Sequence, residues 1–182
     1  MTSRFLLSGS GGQGVISLAI LLAQAAALYG GHNAVQTQAY GPEARGGATR
    51  SDVIISDEEI LFPQVLHPDV LVSLTNQACA KFLPLIRPNG IMLFDSDLVQ
   101  PERRMDAHYI GLPMHREVVD KFHKTQALNI CVLGVLLSLT RIVDVDAVRK
   151  CLADKFKPAF HEANNQALDL GLKLGESVDK TW

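Results

Sequence analysis

The residues best suited to chemistry stand near the N-terminus, in the run Ser8-Gly9-Ser10-Gly11-Gly12-Gln13-Gly14-Val15. Gly9, Gly11 and Gly14 fall at G-x-G-x-x-G spacing, after a short apolar run (Phe5, Leu6, Leu7) and before a long apolar segment, 15–28. Such a turn lets backbone N–H groups approach a phosphate. The helix that follows directs its unpaired amides and the positive end of its dipole at the same point. The glycine pattern alone occurs in many turns that bind nothing, and its place between a strand and a helix is what gives it weight. The chemistry implied is recognition of a phosphate-bearing ligand.

A second stretch, 39–52, combines Tyr40, Glu43, Arg45 and Arg50 with Gly41, Pro42, Gly46 and Gly47. A plain turn accounts for it about as well as a site does. In favour of a site, the Gly46–Gly47 pair permits backbone shapes closed to other residues, and Tyr40 and Arg45 are side chains that recur at binding surfaces. Following the second strand, this loop would lie beside the glycine loop at the carboxyl edge of a sheet, where α/β proteins bind ligands.

Both loops need elements to hold them. Apolar runs predict a buried first strand over 3–7, and further strands over 34–38, 53–56, 69–74, 91–94 and 107–111. Segment 15–28 is apolar on nearly every face, so the sheet covers one side and something else, such as a partner subunit, must cover the other. Gly30–Gly31 ends that helix. Thr75 or Asn76 caps a helix after the fourth strand, and residues 87–90 form a turn. From Pro113 onward the pattern is helical. It comprises an amphipathic piece over 115–122, an apolar helix capped by Thr125 and running to about Val143, a helix capped by Asp144, and a last one entered at Pro158. Gly134 reads as a close-packing point between helices. Alternating strands and helices predict an α/β, Rossmann-like, doubly wound and mainly parallel sheet with a C-terminal helical portion, in one domain spanning 1–182.

Composition narrows the function. A chain of 182 residues, 47% hydrophobic, can bury a real core. A net charge of −2, with no basic run longer than Arg103–Arg104, argues against a nucleic-acid surface. Cys79, Cys131 and Cys151 lie far apart with no C-x-x-C pair, which excludes a local iron–sulfur or zinc site, fits a reducing cytosol, and leaves three buried structural thiols. Arg4, the apolar run and Ala23-Gln24-Ala25 imitate a secretory signal. The glycine loop, however, divides the apolar stretch into pieces suited to a strand and a helix, neither reaching the ~20 residues needed to cross a bilayer. A cytoplasmic protein without a membrane anchor is the expectation.

Several chemistries lack their residues. No G-K-[ST] closes the glycine loop, as a nucleoside-triphosphatase would require. The second strand carries Gln36 and Gln38 rather than the acid that holds the ribose of a dinucleotide. No histidine pair has metal-ligand spacing in a recognised motif, and no G-x-S-x-G provides a nucleophile. The chain has a ligand loop and no evident catalytic set.

The combination of GSGGQGV after an N-terminal strand with the loop AYGPEARGG resembles the gamma subunit of 2-oxoacid:ferredoxin oxidoreductases. The segment NICVLGVL from Asn129 resembles that family's apolar helix, which starts at an Asn and contains a Gly. The last helix, with Glu162, Asn164, Ala167 and Gly171, resembles its C-terminal pattern. The resemblance implies a complex that oxidatively decarboxylates a 2-oxoacid, forms an acyl-CoA and reduces ferredoxin. Thiamine diphosphate and Fe–S clusters would reside on alpha, beta and ferredoxin-like delta partners, and the GPEARGG form leans toward 2-oxoglutarate or pyruvate types. On the same resemblance Gly9, Ser10, Gly11, Gly12, Gln13 and Gly14 would contact coenzyme A. Tyr40, Gly41, Glu43, Arg45, Gly46 and Gly47 would form an interface or ligand loop. Two alternatives are a free-standing nucleotide-binding oxidoreductase of Rossmann type and a purely structural assembly subunit.

Overall fold

The computed structural model describes residues 1–38, 47–102 and 106–180. Six strands form one sheet: β1 (Thr2–Gly9), β2 (Asn33–Gln38), β3 (Thr49–Ser56), β4 (Val70–Ser73), β5 (Gly90–Asp95) and β6 (Ala107–Leu112), in the order β2-β3-β1-β4-β5-β6. All six predicted strands are present. β1, β4, β5 and β6 pair in parallel, whereas β3 runs antiparallel between β1 and β2. The exception has a simple cause. β2 ends at Gln38 and β3 starts at Thr49, a connection shorter than the roughly dozen or more residues a parallel crossover needs, so the chain turns back on itself.

β3 also begins four residues earlier than the sequence indicates, so Thr49 to Asp52 belong to the sheet and not to the loop. Arg50 is accordingly a strand residue. It donates to both carboxylate oxygens of Asp52 (2.8 and 2.7 Å) and to the Val65 carbonyl (2.6 Å).

The two faces of the sheet are covered unequally. Phe5, Leu7, Val53, Ile55, Val70, Val72 and Leu93 point to a thick layer of five helices. These are α1 (Val15–Gln24), α3 (Met114–Phe122), α4 (Leu128–Thr140), α5 (Val145–Lys155) and α6 (His161–Glu176). Leu6, Ile54, Leu71 and Met92 point the other way, to α2 (Asn76–Phe82) and the segments around Val65 and Val99. Helices thus lie on both faces, as a doubly wound fold requires.

The thick layer corrects one expectation. α1 is covered by α4 and α5 of the same chain, so no partner subunit is needed to bury it. It continues into a π-helical turn, Ala25–Tyr29, which the Gly30 amide closes onto the Ala25 carbonyl at 2.9 Å. α4 is buried along almost its whole length. It starts at Leu128 rather than at Thr125, whose carbonyl receives the Leu128 amide, and it stops at Thr140 because Arg141 adopts a left-handed conformation. Asp144 does sit at the N-cap of α5, without a side-chain bond there.

Gly134 has the packing role anticipated for it. A Cβ on Gly134 would stand 2.3 Å from the Leu168 carbonyl oxygen, and one on Gly171 would stand 1.9 Å from that of Cys131. The backbones of α4 and α6 therefore touch along a glycine seam. All three cysteines are free and buried. Among the described residues no helix is long and apolar enough to cross a membrane.

Candidate phosphate-binding site

The carboxyl ends of β1, β4, β5 and β6 share one edge of the sheet, and the glycine loop leaves β1 there. Ser8, the last side chain before the loop, is fully buried. Its hydroxyl donates to the Val72 carbonyl (2.7 Å) and meets the Ser73 hydroxyl (3.1 Å), while its own carbonyl receives the Leu74 amide (3.0 Å). β1 and β4 are thereby tied together at the point where both chains leave the sheet.

Gln13 braces the loop from within. Its Oε1 accepts the Ser10 amide at 2.7 Å, and its Nε2 donates to the Leu74 carbonyl at 3.1 Å. A Cβ on Gly9 would strike that Oε1 at 2.5 Å, so Gly9 leaves the room the brace occupies. The Gln13 amide group and the Ser10 N–H, both anticipated as ligand contacts, are engaged inside the protein. That pairing holds the loop in shape and leaves its other amides unengaged.

Those other amides belong to Gly11, Gly12 and Gly14, and none of them donates a hydrogen bond among the described residues. Gly12 and Gly14 have φ of +88° and +73°, a region L-residues seldom enter. Gly11 has no positive φ, and neither Gly11 nor Gly12 would bring a Cβ within 4 Å of another described residue. Among the described residues the loop is open on its outer side. Behind it α1 starts at Gly14 with no side-chain cap and no acid in its first turn, so its free N–H groups and positive dipole end stay uncompensated.

Two further residues at this edge escape the sequence reading as site components. Asp95, fully buried at the end of β5, accepts the Asp97 amide (3.0 Å) and the His115 amide (2.6 Å), and so anchors the start of α3. A carboxylate closing a predicted strand was the available signal. Asn129, in the first turn of α4, packs on Gly14. It stood in the sequence as the start of an apolar helix, with nothing to say which loop it would meet.

Of the second loop, Tyr40, Gly41, Glu43, Arg45 and Gly46 lie outside the described residues. Gly47 is described, two positions before Thr49, which pairs with Gly9. The register therefore brings the chain entering β3 alongside the glycine loop. No set of three or more His, Cys, Asp or Glu side chains is placed to hold a metal among the described residues.

Residues 4–174 match the family model described as pyruvate ferredoxin/flavodoxin oxidoreductase. The chain belongs to that family. It is 40% identical over 180 residues to 2-oxoglutarate synthase subunit KorC of Methanocaldococcus jannaschii, covering 98% of this chain and 96% of that one. The gamma subunit of a keto/oxoacid ferredoxin oxidoreductase from Geobacter sulfurreducens has the same fold, with a TM-score of 0.87, 34% identity, and coverage of 97% and 99%.

The fold also makes up 32% of a longer chain in 2-oxoglutarate:ferredoxin oxidoreductase from Magnetococcus marinus, a structure with 2-oxoglutarate, coenzyme A and succinyl-CoA bound (TM-score 0.88, 22% identity, 99% of this chain). This protein is thus a gamma-type subunit of a 2-oxoacid:ferredoxin oxidoreductase, an oxidoreductase built from several subunits. That assignment sets aside the free-standing Rossmann reading, and β2 duly ends at Gln38 without a ribose-binding acid.

Proposed function

We propose that this subunit holds the phosphates of coenzyme A on its glycine loop, within a complex that oxidises 2-oxoglutarate. The complex would release carbon dioxide, join the remaining acyl group to coenzyme A and pass two electrons to ferredoxin. The name of the M. jannaschii relative supports the choice of 2-oxoacid. Thiamine diphosphate and the Fe–S clusters would belong to alpha, beta and delta partners, since this chain's three cysteines are single, buried and far apart in sequence.

One observation carries the coenzyme A assignment. At Gly11 neither a positive φ nor a neighbouring atom among the described residues calls for glycine, yet the position stands beside unpartnered amides and an uncapped helix start. What needs the missing side chain is something that approaches from outside. Anions fit such a point, because N–H donors and the helix dipole both favour negative charge there.

The test uses the complex co-purified from its source, assayed by coenzyme A-dependent reduction of a viologen dye with several 2-oxoacids. A preference for 2-oxoglutarate names the substrate; a preference for another acid overturns that part. Gly11→Asp places a carboxylate where the phosphate would sit, without touching the chain's own packing. It should raise the KM for coenzyme A roughly tenfold or more at unchanged assembly. An unchanged KM would exclude the loop from coenzyme A binding, and loss of assembly would make it a subunit contact instead.

A further inference from the structure

The glycine loop faces a second helix start. The first turn of α4 meets the first turn of α1 where Asn129 packs on Gly14, with Nδ2 of Asn129 lying 2.9 Å from the place a Gly14 Cβ would take. Neither helix carries a side-chain cap, and neither has an acid in its first turn. Two positive dipole ends therefore adjoin one loop, and the protein supplies no negative side chain in either first turn to balance them.

Asn129 is 91% buried, with 9% of its surface exposed. Its Oδ1 accepts the Ile130 amide at 3.0 Å, which directs the NH2 end of the side chain away from the helix backbone and toward Gly14. Among the described residues Nδ2 has no hydrogen-bond partner. That donor is not sealed inside the protein: it keeps access to the outside at the loop, beside a row of free backbone N–H groups, where an external acceptor can reach it.

We infer that Asn129 is a binding residue of the glycine-loop site, donating through Nδ2 to a phosphate oxygen held by the Gly11, Gly12 and Gly14 amides. This inference rests on the coenzyme A reading above and adds α4 to the site. The phosphate would then be gripped from two sides, by the α1 loop and by the start of the helix that carries the α4–α6 seam. Ligand binding and packing of the helical layer become coupled through one side chain.

Asn129→Asp separates this role from a merely structural one. The substitution keeps Oδ1 for the Ile130 amide and keeps the side-chain shape, but turns the donor into an acceptor with negative charge. At two helix N-termini that charge should leave the melting temperature unchanged or raise it. Coenzyme A affinity, measured by calorimetry on the assembled complex, should fall roughly a hundredfold. Asn129→Ala, which only removes the donor, should lower it about tenfold.

Gly11→Asp serves as the companion measurement. If Gly11→Asp weakens coenzyme A and Asn129→Asp does not, the loop binds the cofactor and Asn129 has no part in it. If both leave the affinity unchanged, coenzyme A binds elsewhere and both readings fall. Equal losses of affinity in the Asp and Ala variants, each matched by a lower melting temperature, would make Asn129 a packing residue and overturn the inference.

Discussion

Glycines occur in two groups in this chain, and they are glycines for opposite reasons. In the seam between α4 and α6, a Cβ on Gly134 or Gly171 would land inside the van der Waals radius of a backbone carbonyl. In the loop after β1, Cβ atoms on Gly11 and Gly12 would meet nothing within 4 Å among the described residues. The seam glycines are demanded by the chain itself and can be understood from its packing alone. Gly12 is explained by its φ, but Gly11 has neither a positive φ nor a close neighbour among the described residues to explain it. Crowded glycines report on folding; a glycine with neither constraint points to something that comes to it.

The contrast can be broken most forcefully at the seam. Gly171→Val would drive carbon atoms into the Cys131 carbonyl, and two packed helices cannot separate without uncovering α4, which is buried along nearly all its length. Overpacking of this severity should cost at least about 3 kcal/mol, which for a chain of this size lowers the melting temperature by about 10 °C. A thermal melt that moves by no more than a degree or two would show that the helices slide apart freely and that the seam is not a constraint.

The same seam has a pH signature. Burial, aided by the charges of Asp95 and Glu117, pushes the Cys131 thiol up to about 12, whereas an unfolded thiol ionises near 9. Between those values the unfolded chain has released a proton that the folded chain retains, so stability falls as pH rises from about 9 toward 12. The slope approaches about 1.4 kcal/mol per pH unit for one such group. Urea unfolding followed from pH 8 to 11 should reveal it, and Cys131→Ala should flatten it. A slope that survives the substitution would assign the loss to other groups.

How much of this was legible in the residues depends on what kind of force fixes each feature. β1, β4 and β5 could be read because buried strands are written as runs of apolar residues, and burial is a local requirement. The Gly134 contact could be read because a glycine within an apolar helix has few other uses. The direction of β3 was harder, since it follows from the shortness of the connection between β2 and β3 and not from β3's own residues. Burial of α1 was misjudged because its cover, α4 and α5, lies more than a hundred residues away in sequence. For the site, the loop was evident and its internal wiring was not. That Gln13 turns inward to Ser10 and Leu74 depends on where β4 ends, and that Asn129 reaches Gly14 depends on how α4 crosses α1.

The smallest effects test the loop side of the comparison. Gln13→Ala removes two hydrogen bonds to backbone groups, freeing the Ser10 amide and the Leu74 carbonyl in a half-buried setting, and should cost about 1–2 kcal/mol. Gly11→Ala should change stability by no more than about 0.5 kcal/mol, because its φ is not positive and no described residue stands within 4 Å of the added Cβ. Restricting the unfolded chain could even add slightly to stability. The pair is informative together, since the residues sit two apart on one turn. If Gln13 shapes the loop and Gly11 only admits a visitor, chemical denaturation separates them cleanly. Equal stability losses for the two would mean that the loop folds as one unit, that Gly11 is required by the chain after all, and that its openness points to no ligand.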